Sequence, residues 1–285
     1  MRRRLESRRR ARLTGMTMVL VVFLCSVAAA QPQAQTTRPM ALTLAATGII
    51  VAAFVKGVTG IGFPVIGAPI AALFLDPHTT VVAITIPAFL MNVIQTIQGG
   101  VSLALVCRFL PTLLVLVPAA VGGTALLAYV PGSLLVLVLG VIVTAYAVIS
   151  LWHPRLVLPP AYERWAGISA GLCAGVIGGA TSIFSPPLVM YIAALQLPKA
   201  AFVSAVSMCF LGGQIPQLVS LVGFGLLTAP RLGVAALFCV LSAVGFLLGL
   251  HLQRHISQTR FAQMVLITLL VVGLSLLRTG FMGLR

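Results

Sequence analysis

The chain has 285 residues, 60% of them hydrophobic and only 7% charged, with a mean hydropathy of +1.15. A soluble domain of this size needs far more charge to keep its surface wet, so the composition excludes that class and indicates a polytopic helical membrane protein. The formal net charge of +15 does not indicate a nucleic-acid partner: Arg2, Arg3, Arg4, Arg8, Arg9, Arg10 and Arg12 crowd the start, and the other basic residues are scattered singly.

Residues 1–40 stand apart from the rest. An Arg-rich stretch precedes an apolar run from Met16 to Ala30, and Ala28-Ala29-Ala30 resembles a signal-peptidase site. The alternatives are an uncleaved extra N-terminal helix, or a natural start at Met40.

From Met40 onward ten apolar segments follow, near 41–57, 60–75, 79–98, 110–130, 133–152, 165–179, 182–196, 200–224, 232–250 and 261–279. The runs are continuously apolar rather than alternating, which excludes a β-barrel. A full crossing takes ~20 residues. Several segments are short for that, so the first and second, and the sixth and seventh, are expected to be broken pairs that turn within the bilayer. The connection at 153–164, with Pro154, Pro159 and Pro160, divides the chain into a first repeat (41–152) and a second (165–279). An odd number of segments per repeat inverts the second relative to the first. The expected fold is therefore all-α: a membrane bundle of two inverted repeats with re-entrant helix pairs. The basic residues orient it, with Lys56, Arg108, Arg155, Arg164, Lys199, Arg254 and Arg260 inside and Arg38, Arg231, Arg278 and Arg285 outside.

Two interruptions carry the functional argument. The first is Lys56-Gly57-Val58-Thr59-Gly60-Ile61-Gly62-Phe63-Pro64; the second is Gly175 to Pro187, containing Thr181, Ser182, Ser185 and Pro186. Backbone freed from helical bonding in a membrane must be covered by protein or line a cavity, and paired breaks point to a transporter's substrate site. A half-helix starting at Pro64 or Pro186 presents unpaired N–H groups and a positive dipole end, an anion seat without formal charge. Thr59, Thr181, Ser182 and Ser185 add hydroxyl donors. The competing explanation is close packing, which the spacing of Gly171, Gly175 and Gly179 clearly favours for the helix itself.

Asn92 and Gln95 lie three apart on one helix face, and Gln214 and Gln217 repeat the spacing. Such amides either donate to a substrate's oxygens or bond one helix to another. Lys56 either neutralises an anion or reaches to the membrane interface. The acids are Glu6, Asp76 and Glu163, none in the middle of an apolar segment, so a carboxylate-based cation relay has few candidates. The five cysteines are isolated, and His251 and His255 lack an evident third ligand, so no disulfide framework, metal site or other cofactor is expected. ATP-binding and hydrolase motifs are missing, so the chain does not read as an enzyme.

Lys56 through Pro69, Leu75-Asp76-Pro77 and Asn92-x-x-Gln95 resemble the first half of the sulfite exporter TauE/SafE family (the 4-toluene sulfonate uptake permease family). Gly175 to Pro187, followed by Leu188-Val189-Met190-Tyr191, resembles its second signature. The likeness spans roughly 41–279. It implies a permease for small anions such as sulfite, sulfonates or related carboxylates, seated in the plasma membrane of a bacterial-type cell. The expected substrate residues are Lys56, Thr59, Gly60, Gln95, Thr181, Ser182, Ser185, Gln214 and Gln217. The expected partners are a small anionic substrate and the lipid bilayer, with the oligomeric state open. The rival readings are a passive anion channel and a membrane assembly or sulfur-handling partner without transport of its own.

Overall fold

A computed structural model describes residues 38–60, 62–152, 157–252 and 258–283. The leader readings for residues 1–37, and His255 of the histidine pair, lie outside the described residues. Ten α-helices form among those described, and no strand: α1 (Arg38–Thr59), α2 (Phe63–Ala72), α3 (Pro77–Gly99), α4 (Leu103–Tyr129), α5 (Gly132–Trp152), α6 (Glu163–Thr181), α7 (Ser185–Ala194), α8 (Lys199–Gly223), α9 (Ala229–Leu252) and α10 (Gln258–Gly283). They match the ten apolar segments one for one, and the all-α membrane class holds.

Local chemistry sets the ends. Asp76 caps α3 by accepting from the Thr79 N–H at 3.0 Å, and Pro77 fills the first helical position, where a missing N–H costs nothing. Helix α4 starts at Leu103, earlier than the apolar run suggests, because Ser102 caps it by accepting from the Leu105 N–H. Its second turn is held by Arg108, which donates through Nε and Nη2 to the two oxygens of Glu163 at the start of α6.

Helices α3, α4, α5, α8 and α9 are long and apolar enough to cross a membrane. Helices α2 and α7 have ten residues each. At 1.5 Å per residue they reach only about half of the ~30 Å hydrocarbon layer. Both broken pairs are thus a long helix followed by a half-length one. Helices α1 and α6 end at Thr59 and Thr181; α2 and α7 begin at Phe63 and Ser185 and end at Ala72 and Ala194. These landmarks share one separation, the 122 residues that also part Asn92 from Gln214.

The helices gather into two compact units, each drawing on both halves of the sequence. The first holds α1, α2, most of α5, the end of α9 and α10. In it α1 and α9 run parallel and touch through small residues: a Cβ on Gly57 would lie 2.9 Å from Gly249 Cα, and one on Gly245 would meet Ile50 and Ala53. Helices α5 and α10 run antiparallel, joined at Gly140, Gly273 and Gly280.

The second unit holds α3, α4, α6, α7, α8 and the start of α9. Helix α6 lies parallel to α4 along Gly167, Gly171, Gly175 and Gly179, where side chains would strike Thr112, Leu116, Ala119 and Ala120. This is the small-residue face that lets two backbones approach without a hydrophobic driving force. Helices α3 and α8 run antiparallel, with Thr85 beside Gln217, Asn92 beside Gln214 and Gly99 beside Ser204. Each is 61% buried over its apolar window, against 28% for α4, so α3 and α8 form the interior of the unit. The α4 surface left over, including Leu103, Leu114 and Leu126, is the lipid-facing kind. Tyr162 and Trp165 lie exposed near the Arg108–Glu163 end and Tyr129 at the other, as interfacial aromatics do.

Candidate functional site

The second break is a hydroxyl-rich turn. Helix α6 ends at Thr181, whose hydroxyl donates to the Ile177 carbonyl at 2.7 Å and accepts from the Ile183 N–H at 3.2 Å. Ser182 then takes a left-handed conformation, φ 64° and ψ 6°, and its N–H donates to Gly178 O at 2.7 Å. A side chain in that region is strained, so the serine is held by what it touches. Its hydroxyl bonds to that of Thr85 and lies 3.3 Å from the Val81 carbonyl, both on α3. Phe184 packs its ring against Gly178 and Gly213. Helix α7 then starts at Ser185, which is buried and leads the Pro186-Pro187 pair. Two of the first four residues of α7 are prolines without an N–H, so this half-helix offers fewer free donors than an ordinary N-terminus.

The turn is tied to the α3–α8 seam by Gln217. Its amide nitrogen donates to Gly178 O at 2.9 Å and Gly179 O at 3.1 Å, and lies 3.3 Å from Ser182 Oγ. Its amide oxygen lies 3.4 Å from Thr85 Oγ1. Gln217 thereby adds a donor to the Gly178 carbonyl, which already accepts from the Ser182 N–H, and to the Gly179 carbonyl, which Thr124 Oγ1 also reaches at 3.3 Å. Further along, Asn92 Nδ2 donates to Gln214 Oε1 at 2.9 Å. Gln95 lies one turn beyond Asn92, 5% exposed, and its Oε1 has no hydrogen-bond partner among the described residues.

Gln95, Thr181, Ser182, Ser185, Gln214 and Gln217 all belong to the second unit, and among them Ser182 and Gln217 are in hydrogen-bond contact. Lys56, Thr59 and Gly60 belong to the first. There the Thr59 hydroxyl donates to Val55 O at 2.8 Å, and the Gly60 N–H to Lys56 O at 2.7 Å. Gly60 and Gly62 both have left-handed φ, 85° and 105°, and Gly62 caps α2. Lys56 is fully buried in the last turn of α1, so its ammonium does not reach solvent. Thr85 and Ser207, both buried on the α3–α8 seam, escaped the sequence reading. A signal was present: 122 residues separate Thr85 from Ser207 and Gln95 from Gln217, just as they separate Asn92 from Gln214.

The seam is polar without being charged. Of the described acids, Asp76 lies at the start of α3 and Glu163 at the start of α6, and no group of three potential metal ligands occurs among the described residues. Such a set of neutral donors and acceptors can hold a solute by hydrogen bonds, and carries no nucleophile–base pair.

Long apolar helices, two half-length helices behind broken turns and a buried polar seam define a multi-span helical membrane protein of transporter type. The chain belongs to the sulfite exporter TauE/SafE family, whose model matches residues 44–276. Membership makes it a membrane transporter of sulfur anions. No curated protein and no solved structure matches the chain.

Proposed function

We propose that the chain is a secondary permease that moves a small sulfur oxyanion, such as sulfite or a sulfonate, by alternating access across the inner membrane of a bacterial-type cell. The carrying observation is the buried hydroxyl–amide cluster where a broken helix meets the α3–α8 seam. Ser182, Thr85 and Gln217 form its floor, and Gln95, Asn92 and Gln214 continue it. Thr181 and Ser185 frame the turn, and Lys56, Thr59 and Gly60 make the corresponding turn in the first unit.

Inverted duplication supports this reading. Helices α3 and α8, which correspond at the 122-residue separation, run antiparallel in their unit, as do α5 and α10 in theirs. The small-residue contact of Gly245 with Ala53 corresponds to that of Gly123 with Gly175. Inverted repeats whose broken helices form the substrate site are a recurring transporter plan.

Purified protein in liposomes tests the proposal. Saturable uptake of labelled sulfite or a small alkyl sulfonate is the expected result. Anion flux that never saturates would make the protein a channel. Lack of anion-dependent flux would remove transport altogether and favour a non-transporting assembly role.

A further inference from the structure

Four buried side-chain atoms have no hydrogen-bond partner among the described residues: Gln95 Oε1, Thr96 Oγ1, Thr144 Oγ1 and Ser207 Oγ. Gln95 and Ser207 are the two that the helix register sets across one seam. Helices α3 and α8 are antiparallel, with Asn92 beside Gln214 and Gly99 beside Ser204. Between those pairs, Gln95 on α3 falls opposite Ser207 on α8. Both are at least nine-tenths buried, at 5% and 0% exposure. Leaving a buried amide oxygen and a buried hydroxyl unbonded costs free energy that a native seam ordinarily avoids.

Their counterparts are fully engaged. The 122-residue displacement carries Thr85 to Ser207 and Gln95 to Gln217. Thr85 and Gln217 bond to each other and share Ser182 between them. In sequence, the residue corresponding to Ser182 is Gly60, which belongs to the first unit. One amide–hydroxyl pair is closed by Ser182 within the second unit, and its duplicate keeps Gln95 Oε1 and Ser207 Oγ without a partner among the described residues.

A pocket neighbours the open pair on the same seam. This pocket, of about 420 Å³, lies one turn further along, where Gly99, Ser102 and Ser204 line it together with the bulkier Val101 and Leu105. Gln95 and Gly99 are four apart and Ser204 and Ser207 three apart, so each pair shares a helix face. Gly99, Gly100, Ala200 and Ala201 keep part of this lining small.

Building on the permease reading above, we propose that Gln95 and Ser207 are the hydrogen-bonding contact for the transported oxyanion, and that Thr85–Ser182–Gln217 is a closed structural counterpart. Ser207 donates its hydroxyl to an anion oxygen. Gln95 contributes its NH2 group after rotation of the amide, whose oxygen and nitrogen ends interchange by turning about one bond.

The test uses the full chain in phosphatidylethanolamine–phosphatidylglycerol liposomes, with sulfite and methanesulfonate as probes. Ser207→Ala and Gln95→Leu are each expected to raise KM for the transported probe about tenfold, the loss of one hydrogen bond to a charged group. Because neither removes an internal bond, both variants should melt at or above the wild-type temperature. Thr85→Val should instead melt lower. Wild-type transport with unchanged KM in both Ser207→Ala and Gln95→Leu would overturn the contact assignment and leave the permease reading standing. A raised KM accompanied by a lowered melting temperature in both would also overturn it, since the pair would then be structural. No flux of either probe in wild type would overturn the permease reading itself, and this assignment with it.

Discussion

After α1 the chain turns through Gly60 and Gly62, at φ 85° and 105°; after α6 it turns through Ser182, at φ 64°. Glycine reaches the left-handed region almost freely, whereas a serine there costs roughly 1–2 kcal/mol. The first turn therefore needs little beyond backbone shape. A Cβ on Gly62 would meet only Val55, at 3.9 Å. The second turn is held by its side chain, through Thr85 and the Val81 carbonyl on α3 and through Gln217 on α8. The same bend is thus built once around glycines in the left-handed region and once around a serine whose own hydroxyl ties it to a neighbouring helix.

The hardest test of that equivalence is steric. Gly57 and Gly179 are corresponding positions on α1 and α6, and each abuts the backbone of a parallel neighbour: Phe246 to Leu250 on α9 for one, Ala120 to Thr124 on α4 for the other. Leucine at either position should cost about 3 kcal/mol or more, because the obstructing atoms are backbone and cannot rotate away. Fluorescence size-exclusion of Gly57→Leu and Gly179→Leu should show both losing the monodisperse peak. One surviving intact would mean that the two copies do not share this packing.

Next in size is Gln217→Leu. It strips donors from the Gly178 and Gly179 carbonyls, an expected cost of about 2–3 kcal/mol, read as a drop in melting temperature. Ser182 then separates backbone strain from side-chain bonding. Ser182→Gly loses the hydroxyl bonds but relieves the left-handed strain, whereas Ser182→Ala loses the bonds and keeps the strain. The alanine variant should be less stable than the glycine variant by about 1 kcal/mol. In the first turn Gly62→Ala should destabilise by a similar amount from strain alone. If Ser182→Ala and Ser182→Gly melt together, the strain assigned to the second turn is absent.

The number and order of the helices were legible because each apolar run is bounded by glycine, proline or a cap. The α3–α8 seam was legible at its amides, because Asn92, Gln95, Gln214 and Gln217 stand out in apolar surroundings. Thr85 and Ser207 were hidden: a threonine or serine in a membrane helix usually bonds back to its own helix, as Thr85 also does to Val81 O at 2.7 Å. Only the register of two helices distant in sequence shows which hydroxyl faces which amide. The start of α4 was misjudged because Arg108 and Pro111 look like loop residues until Glu163 is placed beside the arginine. The division into compact units was invisible too, since it depends on which small residues meet rather than on chain order.

A smaller contrast concerns the starts of α3 and α8. Asp76 caps α3, whereas the corresponding Pro198 offers α8 no side-chain bond. Burial pushes the Asp76 carboxyl upward, but the hydrogen bonds from Thr79, with Arg231 and His78 nearby, hold it below its ordinary value overall. A folded-state pKa below the unfolded one adds stability that is complete above the unfolded pKa of about 4 and lost as pH falls through the folded value. With the side chain more than half exposed, screening limits the effect to a few tenths of a kcal/mol. Asp76→Asn keeps an acceptor at the cap and removes the titration. Melting temperatures of wild type and Asp76→Asn should therefore differ at pH 6 and converge toward pH 3. A constant gap across that range would show that the carboxylate's charge contributes nothing at the α3 start, leaving α3 and α8 distinguished by the capping bond alone.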